Sequence, residues 1–279
     1  MKCFLTSSPF LPDRSSINPA NGFADRIRAS VPSPCKALFI CSDPDSHEQT
    51  DGFAQAVRAN LEALGLHFSQ YAVLDGRNED KAGELVGGAE LIILAGGHVP
   101  TQNRFFVKVG LREWMRSFDG VLVGISAGTM NSAEVVYAQP ELEGEATDPN
   151  YQRFLPGLGL TKKMILPHYQ MLKDEVLDGL RVMEDIAYPD SMGRRFYAII
   201  DGSYIYLDTA SGREEICGES YIIENGVLTP LSFGLVIAYL LDSMVAAFTR
   251  LLGKIPRPKK WNAVVPASLI GIILATAAT

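Results

Sequence analysis

Val121-Leu-Val-Gly-Ile-Ser-Ala-Gly-Thr-Met130 is the stretch on which the reading of this chain turns. Apolar Val121, Leu122, Val123 and Ile125 have strand character, and a helix-compatible stretch, Thr129 to Val136, follows them. Between the two lies Gly124-Ile-Ser126-Ala-Gly128, a G-x-S-x-G turn that sets a serine at the tip of a sharp strand-to-helix junction. Glycines on both sides keep a Cβ away from the neighbouring strand and helix, while the turn holds the serine in strained backbone geometry. Small Ala127 leaves the hydroxyl accessible, and its N–H is expected to point where an oxyanion would form. Such a pentapeptide also arises by chance. Its place between an apolar strand and a helical stretch is what makes Ser126 a candidate nucleophile.

The surrounding chain is globular in character. It has 279 residues, 47% of them hydrophobic and 20% charged, enough for one large domain or two small ones with a sizeable core. A formal charge of −7, with no broad basic patch before the tail, argues against nucleic acid as the main partner. The cysteines at 3, 35, 41 and 217 form no C-x-x-C pair, so neither a zinc site nor a disulfide framework is suggested. No metal or cofactor is called for. A reducing, cytoplasmic compartment fits, and the short apolar run at Met1–Leu5 reads as a first strand rather than a signal peptide.

Strands are expected at 36–41, 68–74 and 89–95, the first and last of them buried, with helical stretches at 53–64, 81–87 and 105–118. Apolar strands alternating with amphipathic helices predict an α/β fold, a mostly parallel sheet with helices on both faces. Ligands of such sheets gather beyond the carboxyl ends of the strands, where both Gly96-Gly97-His98 and Ser126 fall. Farther on, the acidic 139–145 segment reads as a solvated surface loop, and 164–166 as a strand. A helix is expected over 173–186. Asp201-Gly202 is a hairpin or bulge signal and Asn225-Gly226 closes a further hairpin, so the last part, appended to one edge, is expected to be antiparallel.

A serine nucleophile needs a base, and the base needs an anion to orient it. With four histidines in the chain, elimination is informative: His47 and His67 fall in polar or turn contexts, whereas His98 and His168 each follow a buried strand. His168 is the candidate base. His98 is placed as a pocket lining beside Gly97, whose N–H is the candidate second oxyanion donor after that of Ala127. Asp201, also at a strand end, is the candidate third member, against the alternative of a plain Asp-Gly turn. The order Ser…His…Asp differs from the Ser…Asp…His of α/β-hydrolases.

Ala95-Gly-Gly-His98, Gly124-Ile-Ser-Ala-Gly128, Leu166-Pro-His168 and Ile200-Asp-Gly202, in this order, resemble the dipeptidase E and cyanophycinase family of serine peptidases over roughly residues 1–231. The resemblance implies a class I glutamine-amidotransferase-like sandwich, with Ser126 as nucleophile, His168 as base, and Gly97 and Ala127 as oxyanion donors. The family commonly carries a glutamate as third member, where this chain has Asp201, one methylene shorter. Glu141 matches an acidic position important in dipeptidase E. Characterised relatives cleave after Asp, or at β-aspartyl links to arginine, which implies a small peptide substrate and a guanidinium in the pocket. Arg104, Arg194 and Arg195 are candidates by location. A catalytically weak ligand-binding or regulatory protein, or a small-molecule esterase or amidase, is the alternative on the same fold.

From residue 233 the sequence changes character. Residues 233–252 and 261–279 are nearly all apolar, and Gly253-Lys-Ile-Pro-Arg-Pro-Lys-Lys260 joins them. Both runs approach membrane-spanning length, although Asp242 counts against the first as a free span. The expectation is a peptidase-like domain over 1–232 with a hydrophobic helical extension over 233–279. That extension either contacts a membrane or packs on the domain or a partner subunit, leaving a homodimer open.

Overall fold

Alternation along the strands builds the molecule. In β1 (Lys2–Thr6), β2 (Cys35–Ile40), β3 (Phe68–Leu74), β4 (Leu91–Leu94) and β5 (Val121–Ile125), successive side chains point to opposite faces of one sheet. Leu5, Leu38, Ile40, Ile92, Leu94 and Leu122 enter the core on one face. Phe4, Phe39, Leu91, Ile93, Val121 and Val123 enter the core on the other. Both faces are therefore apolar, as a sheet covered on two sides requires. Each such side chain contributes about 1.5–3 kcal/mol on burial.

The helices divide accordingly. α1 (Phe23–Ser30) and α2 (His47–Ala63) cover the second face through Phe23, Ile27, Ala54, Val57 and Leu61. α3 (Ala82–Gly88), α4 (Val99–Lys108) and α5 (Leu111–Met115) cover the first through Val86, Phe105, Phe106, Leu111 and Met115. The helix expected over 105–118 is two helices. Gly110, at φ 66, breaks the run between α4 and α5 in a left-handed conformation open to glycine.

Past β5, the helix expected to reach Val136 is shorter. α6 (Ala127–Asn131) stops where the Asn131 amide donates to Val99 O and Gln102 Oε1 at 3.2 and 3.0 Å. β-branched Val135 and Val136 then join β6 (Val135–Tyr137), which pairs with β7 (Phe154–Pro156). The chain continues through β8 (Met164–Leu166) and α7 (Tyr169–Leu172).

The helix expected over 173–186 is replaced by a small hairpin, β9 (Val176–Leu177) and β10 (Leu180–Arg181), followed by a π-helical turn at Val182–Ala187 and α8 (Tyr188–Asp190). Asp178 and Gly179, at φ 53 and 80, form a turn that suits a hairpin and interrupts a helix. After β11 (Arg195–Ile199), β12 (Tyr204–Asp208) lies antiparallel to β1, and β13 (Arg213–Cys217) antiparallel to β12. The sheet order is then β13-β12-β1-β5-β4-β2-β3. β14 (Ser220–Glu224) and β15 (Val227–Pro230) belong to a second sheet, ordered β15-β14-β11-β8, whose core holds Tyr137 stacked on Phe196 at 4.2 Å.

Asp201-Gly202 is consequently no hairpin. It is the crossing from the second sheet to the central one, anchored where Gly202 N–H donates to Ser8 O at 2.9 Å. This computed structural model describes residues 1–231, which fall in one compact unit, Met1–Ser232. The extension expected over 233–279, with its helical and membrane-contact readings, lies outside the described residues. No helix among the described residues is long and apolar enough to cross a membrane.

Candidate active site

Ser126 stands at the end of β5, in the middle of the sheet, with φ 49 and ψ −107. A non-glycine residue in that region costs on the order of 1–3 kcal/mol, so surrounding contacts must hold it. They do so from both sides. The Ser126 N–H reaches Thr6 O and Ser7 O at 3.1 and 3.0 Å, and Thr129 Oγ1 donates to Thr6 O at 2.8 Å. The flanking glycines are required by space. A Cβ on Gly124 would lie 2.8 Å from Thr129 Oγ1, and one on Gly128 would lie 2.5 Å from Leu94 O.

The second sheet supplies the partners. Leu166 of β8 lies opposite Ala198 of β11 in parallel register, so both strands deliver their next residues to the same edge. His168 follows Pro167 at φ 58 and ψ 29, a left-handed bend that turns the ring back toward β5. His168 Nε2 is 2.8 Å from Ser126 Oγ, and Nδ1 is 2.7 Å from Asp201 Oδ1. The shorter aspartate therefore reaches the ring. Gln170 Oε1 braces it by accepting the Asp201 N–H at 3.2 Å.

Asp201 is held below the ordinary carboxylate range. Its partial burial acts in the opposite sense, and the hydrogen bonds from His168 and Ser7 outweigh it. Hydrogen bonding to the charged form is the deciding influence. The carboxylate stays ionised beside the imidazole.

Gly96 packs against the nucleophile, where a Cβ would lie 3.4 Å from Ser126 Cβ. Exposed Gly97 has φ 153 and closes on Ser42, whose Oγ would be 2.3 Å from a Cβ at position 97. Among the described residues neither the Gly97 N–H nor the fully buried Ala127 N–H has a protein acceptor. A buried backbone donor is seldom left free, and that of Ala127 directly follows Ser126.

His98 faces the acidic loop rather than the serine. Its Nδ1 meets Thr101 Oγ1 and its Nε2 meets Glu145 Oε1, each at 2.8 Å. Glu145 Oε2 accepts the N–H groups of Glu141 and Leu142 at 2.9 and 3.0 Å. Asp178 takes those of Gly144 and Ala146 from the other side, at 2.8 and 3.0 Å. The 139–145 segment thus has exposed residues, as a solvated loop should, but it is tied down at both ends of its turn. Glu141 keeps open surface. Crowding by protein, then the charges of Glu145 and Glu175, push its carboxyl up to about 8.

The arginines separate. Arg104 donates to Thr101 Oγ1 at 3.1 Å, one hydrogen bond from His98. Arg195 pairs with Glu224, and Arg194 lies over the Phe154 ring at 4.2 Å. Both are at the start of β11, about 20 Å of strand away from Asp201 at its far end. They are not part of this mouth. His47 and His67 are exposed.

Sequence reasoning missed Ser7, Thr101 and Glu145. Ser7 is wholly buried, its hydroxyl 2.7 Å from Asp201 Oδ1. A serine after a first strand carries no motif, and only the pairing of β1 with β5 brings it here.

Among known structures, the fold is similar to that of a peptidase from an acI-B1 Actinobacterium. That likeness has 18% identity and a TM-score of 0.55, and covers 82% of this chain and 93% of the other. It is similar also to a Listeria monocytogenes EGD-e protein provisionally described as peptidase E, at 18% identity and a TM-score of 0.53, covering 78% and 98%. No curated protein matches the chain. At such identities the structures speak for the fold alone, but the model of peptidase family S51 matches the sequence itself over residues 7–211. The chain therefore belongs to peptidase family S51, a family of serine-type peptidases.

Proposed function

We propose that this serine peptidase hydrolyses small peptides through an acyl-enzyme formed on Ser126, with His168 as general base and Asp201 as its orienting anion. The observation that carries the reading is the continuous run of hydrogen-bond distances from Asp201 Oδ1 through the His168 ring to Ser126 Oγ, 2.7 and 2.8 Å. With Asp201 accepting from Nδ1–H, Nε2 is left unprotonated toward the serine and can take its proton as Oγ attacks the scissile carbonyl. The N–H groups of Gly97 and Ala127 then receive the oxyanion. His168 returns the proton to the leaving amine, and water attacks the ester by the same route in reverse.

The mouth pairs a cation with an acid. Arg104 supplies a guanidinium beside the His98–Thr101 pair for a substrate carboxylate, and Glu141, its carboxyl pushed up to about 8 and so mostly protonated at neutral pH, supplies a hydrogen-bonding group rather than a full negative charge. A short peptide with an acidic side chain or a free carboxylate fits this pairing. Four free cysteines, three of them buried, suit a reducing cytoplasm. Labelling with a fluorophosphonate probe, beside a screen of acidic dipeptides, other short peptides and simple esters, tests the reading. Ser126-dependent labelling and peptide turnover are expected; an inert serine overturns it in favour of a binding protein, and turnover of esters alone in favour of an esterase.

A further inference from the structure

Ser7 occupies a wholly buried position at the end of β1 and touches every member of the catalytic constellation. Its carbonyl accepts the Ser126 N–H at 3.0 Å, and its own N–H donates to Ser203 O at 3.1 Å, beyond Asp201 on the crossing chain. Its hydroxyl accepts the His168 backbone N–H at 2.8 Å and lies 2.7 Å from Asp201 Oδ1.

The direction of those last two contacts follows from valence. An amide N–H can only donate, so Oγ is the acceptor toward His168. A serine hydroxyl has one proton, and the ionised carboxylate takes it. The remaining approach, 3.5 Å from Oγ to His168 Nδ1, is long, whereas Nδ1 lies 2.7 Å from the same Oδ1. Two donors thus converge on a single carboxylate oxygen.

We propose that Ser7 is a positioning residue for the Ser126–His168–Asp201 relay, its one hydroxyl holding the bend at His168 and the carboxylate of Asp201 in register. The role rests on the peptidase reading above and deepens it. Its origin lies in the fold: the relay draws on two sheets, and Ser7 is where they are tied together. β1 lies between β5, which carries Ser126, and β12, into which the Asp201 crossing leads. A loose joint between the sheets would move His168 and Asp201 together relative to Ser126, and misplacement of about 1 Å is enough to slow chemistry about a hundredfold.

The hydroxyl also has an electrostatic consequence. Its proton draws charge from Oδ1, and without it the carboxylate would favour the imidazolium more strongly. The His168–Asp201 pair would then hold its proton to higher pH. A merely structural serine would change stability and leave that midpoint where it was.

The test uses the full chain with Ser7→Ala, Ser7→Cys and Ser7→Thr. It measures the NMR titration of the His168 ring, together with kcat and KM on a peptide the wild type hydrolyses. Ser7→Ala is expected to lower kcat about tenfold or more with KM within about twofold, the pattern of a lost transition-state interaction. The acid limb and the ring titration should both move to higher pH. Ser7→Thr, which keeps the hydroxyl, should restore them, and near-isosteric Ser7→Cys, a weaker donor, should fall between. If Ser7→Ala does not fold, the cysteine variant decides. An unchanged kcat and an unchanged titration in the folded variants overturn the proposal. Should the wild type cleave no peptide, the ring titration still reads the coupling of Ser7, and only the peptidase reading falls.

Discussion

His168 and Asp201 follow two neighbouring parallel strands, and the residues just past the register pair Leu166 and Ala198 bring Nδ1 within 2.7 Å of Oδ1. Thirty-three positions separate the two along the chain. The contact comes from strand pairing in a sheet to which the nucleophile does not belong.

If Ser126 carries the chemistry, Ser126→Ala removes turnover by a factor of about 10⁴ or more, leaving only what binding and the oxyanion donors supply. Far-ultraviolet circular dichroism and thermal unfolding should be unchanged. Ser126→Gly should be equally inactive but more stable than Ser126→Ala by about 1 kcal/mol, because glycine is at ease with φ 49 and ψ −107. Equal melting of the two variants would remove the strain argument.

Asp201→Asn keeps the shape and discards the charge. By presenting an NH2 group it favours the wrong imidazole tautomer, and kcat should fall about 10⁴-fold. The stability difference has a sign that can be worked out. The folded carboxyl is held below its ordinary 3.8, so its stabilising contribution is complete above that value and is lost as pH falls through the lower folded one. Denaturation of wild type and Asp201→Asn should therefore converge in strong acid. A gap that persists there would refute the assignment.

Gly97→Ala should disable the oxyanion loop. Its Cβ would fall 2.3 Å from Ser42 Oγ, and φ 153 does not suit a side chain, so the Gly97 N–H is displaced. Loss of one such donor costs about 10²–10³ in kcat. Adding Ser42→Gly removes the clash but not the backbone preference, so partial recovery is expected. Full activity in the single variant would take Gly97 out of the mechanism.

Glu145→Gln should loosen the acidic loop. One carboxylate serves His98 and two backbone N–H groups, and an amide cannot accept on both of its ends. Stability should fall by about 1–2 kcal/mol, and the effect on peptides should appear in KM before kcat. Glu141→Gln should act oppositely on stability. The Glu141 carboxyl is pushed up to about 8, so ionising it opposes the fold as pH rises from the ordinary 4.5 through that value. The glutamine variant should accordingly gain relative stability as pH rises from 4.5, with the gain complete above about 8. No gain across that range would show that the loop does not crowd the group.

Local signals were legible wherever the chain encodes them locally. The strand at Phe68–Leu74, set between Gly65 and Asp75-Gly76, and the elbow strand Val121–Ile125, an apolar stretch after Asp119-Gly120, both form as read. The stretch over 173–186 looked helical by spacing, yet Asp178-Gly179 could adopt left-handed geometry, and docking of Gly144 and Ala146 onto Asp178 accompanies the turn. Asp201-Gly202 looked like a hairpin because a turn dipeptide does not tell whether the strands on either side share a sheet. Arg194 and Arg195 are candidates by their location in the sequence, but the length of β11 carries them to the opposite end.

The sequence by itself determined the alternation that buries both faces of one sheet, the serine between two indispensable glycines, and the two histidines that end buried strands. These are properties of short windows, set by side-chain period and by the steric room a backbone allows. Only the tertiary structure decided that His98 grips an acidic loop while His168 faces the serine, that Asp201 is within reach, and that Ser7 joins them. Those choices depend on which strands lie side by side and in what register, and long-range pairing leaves no mark in any single stretch of chain.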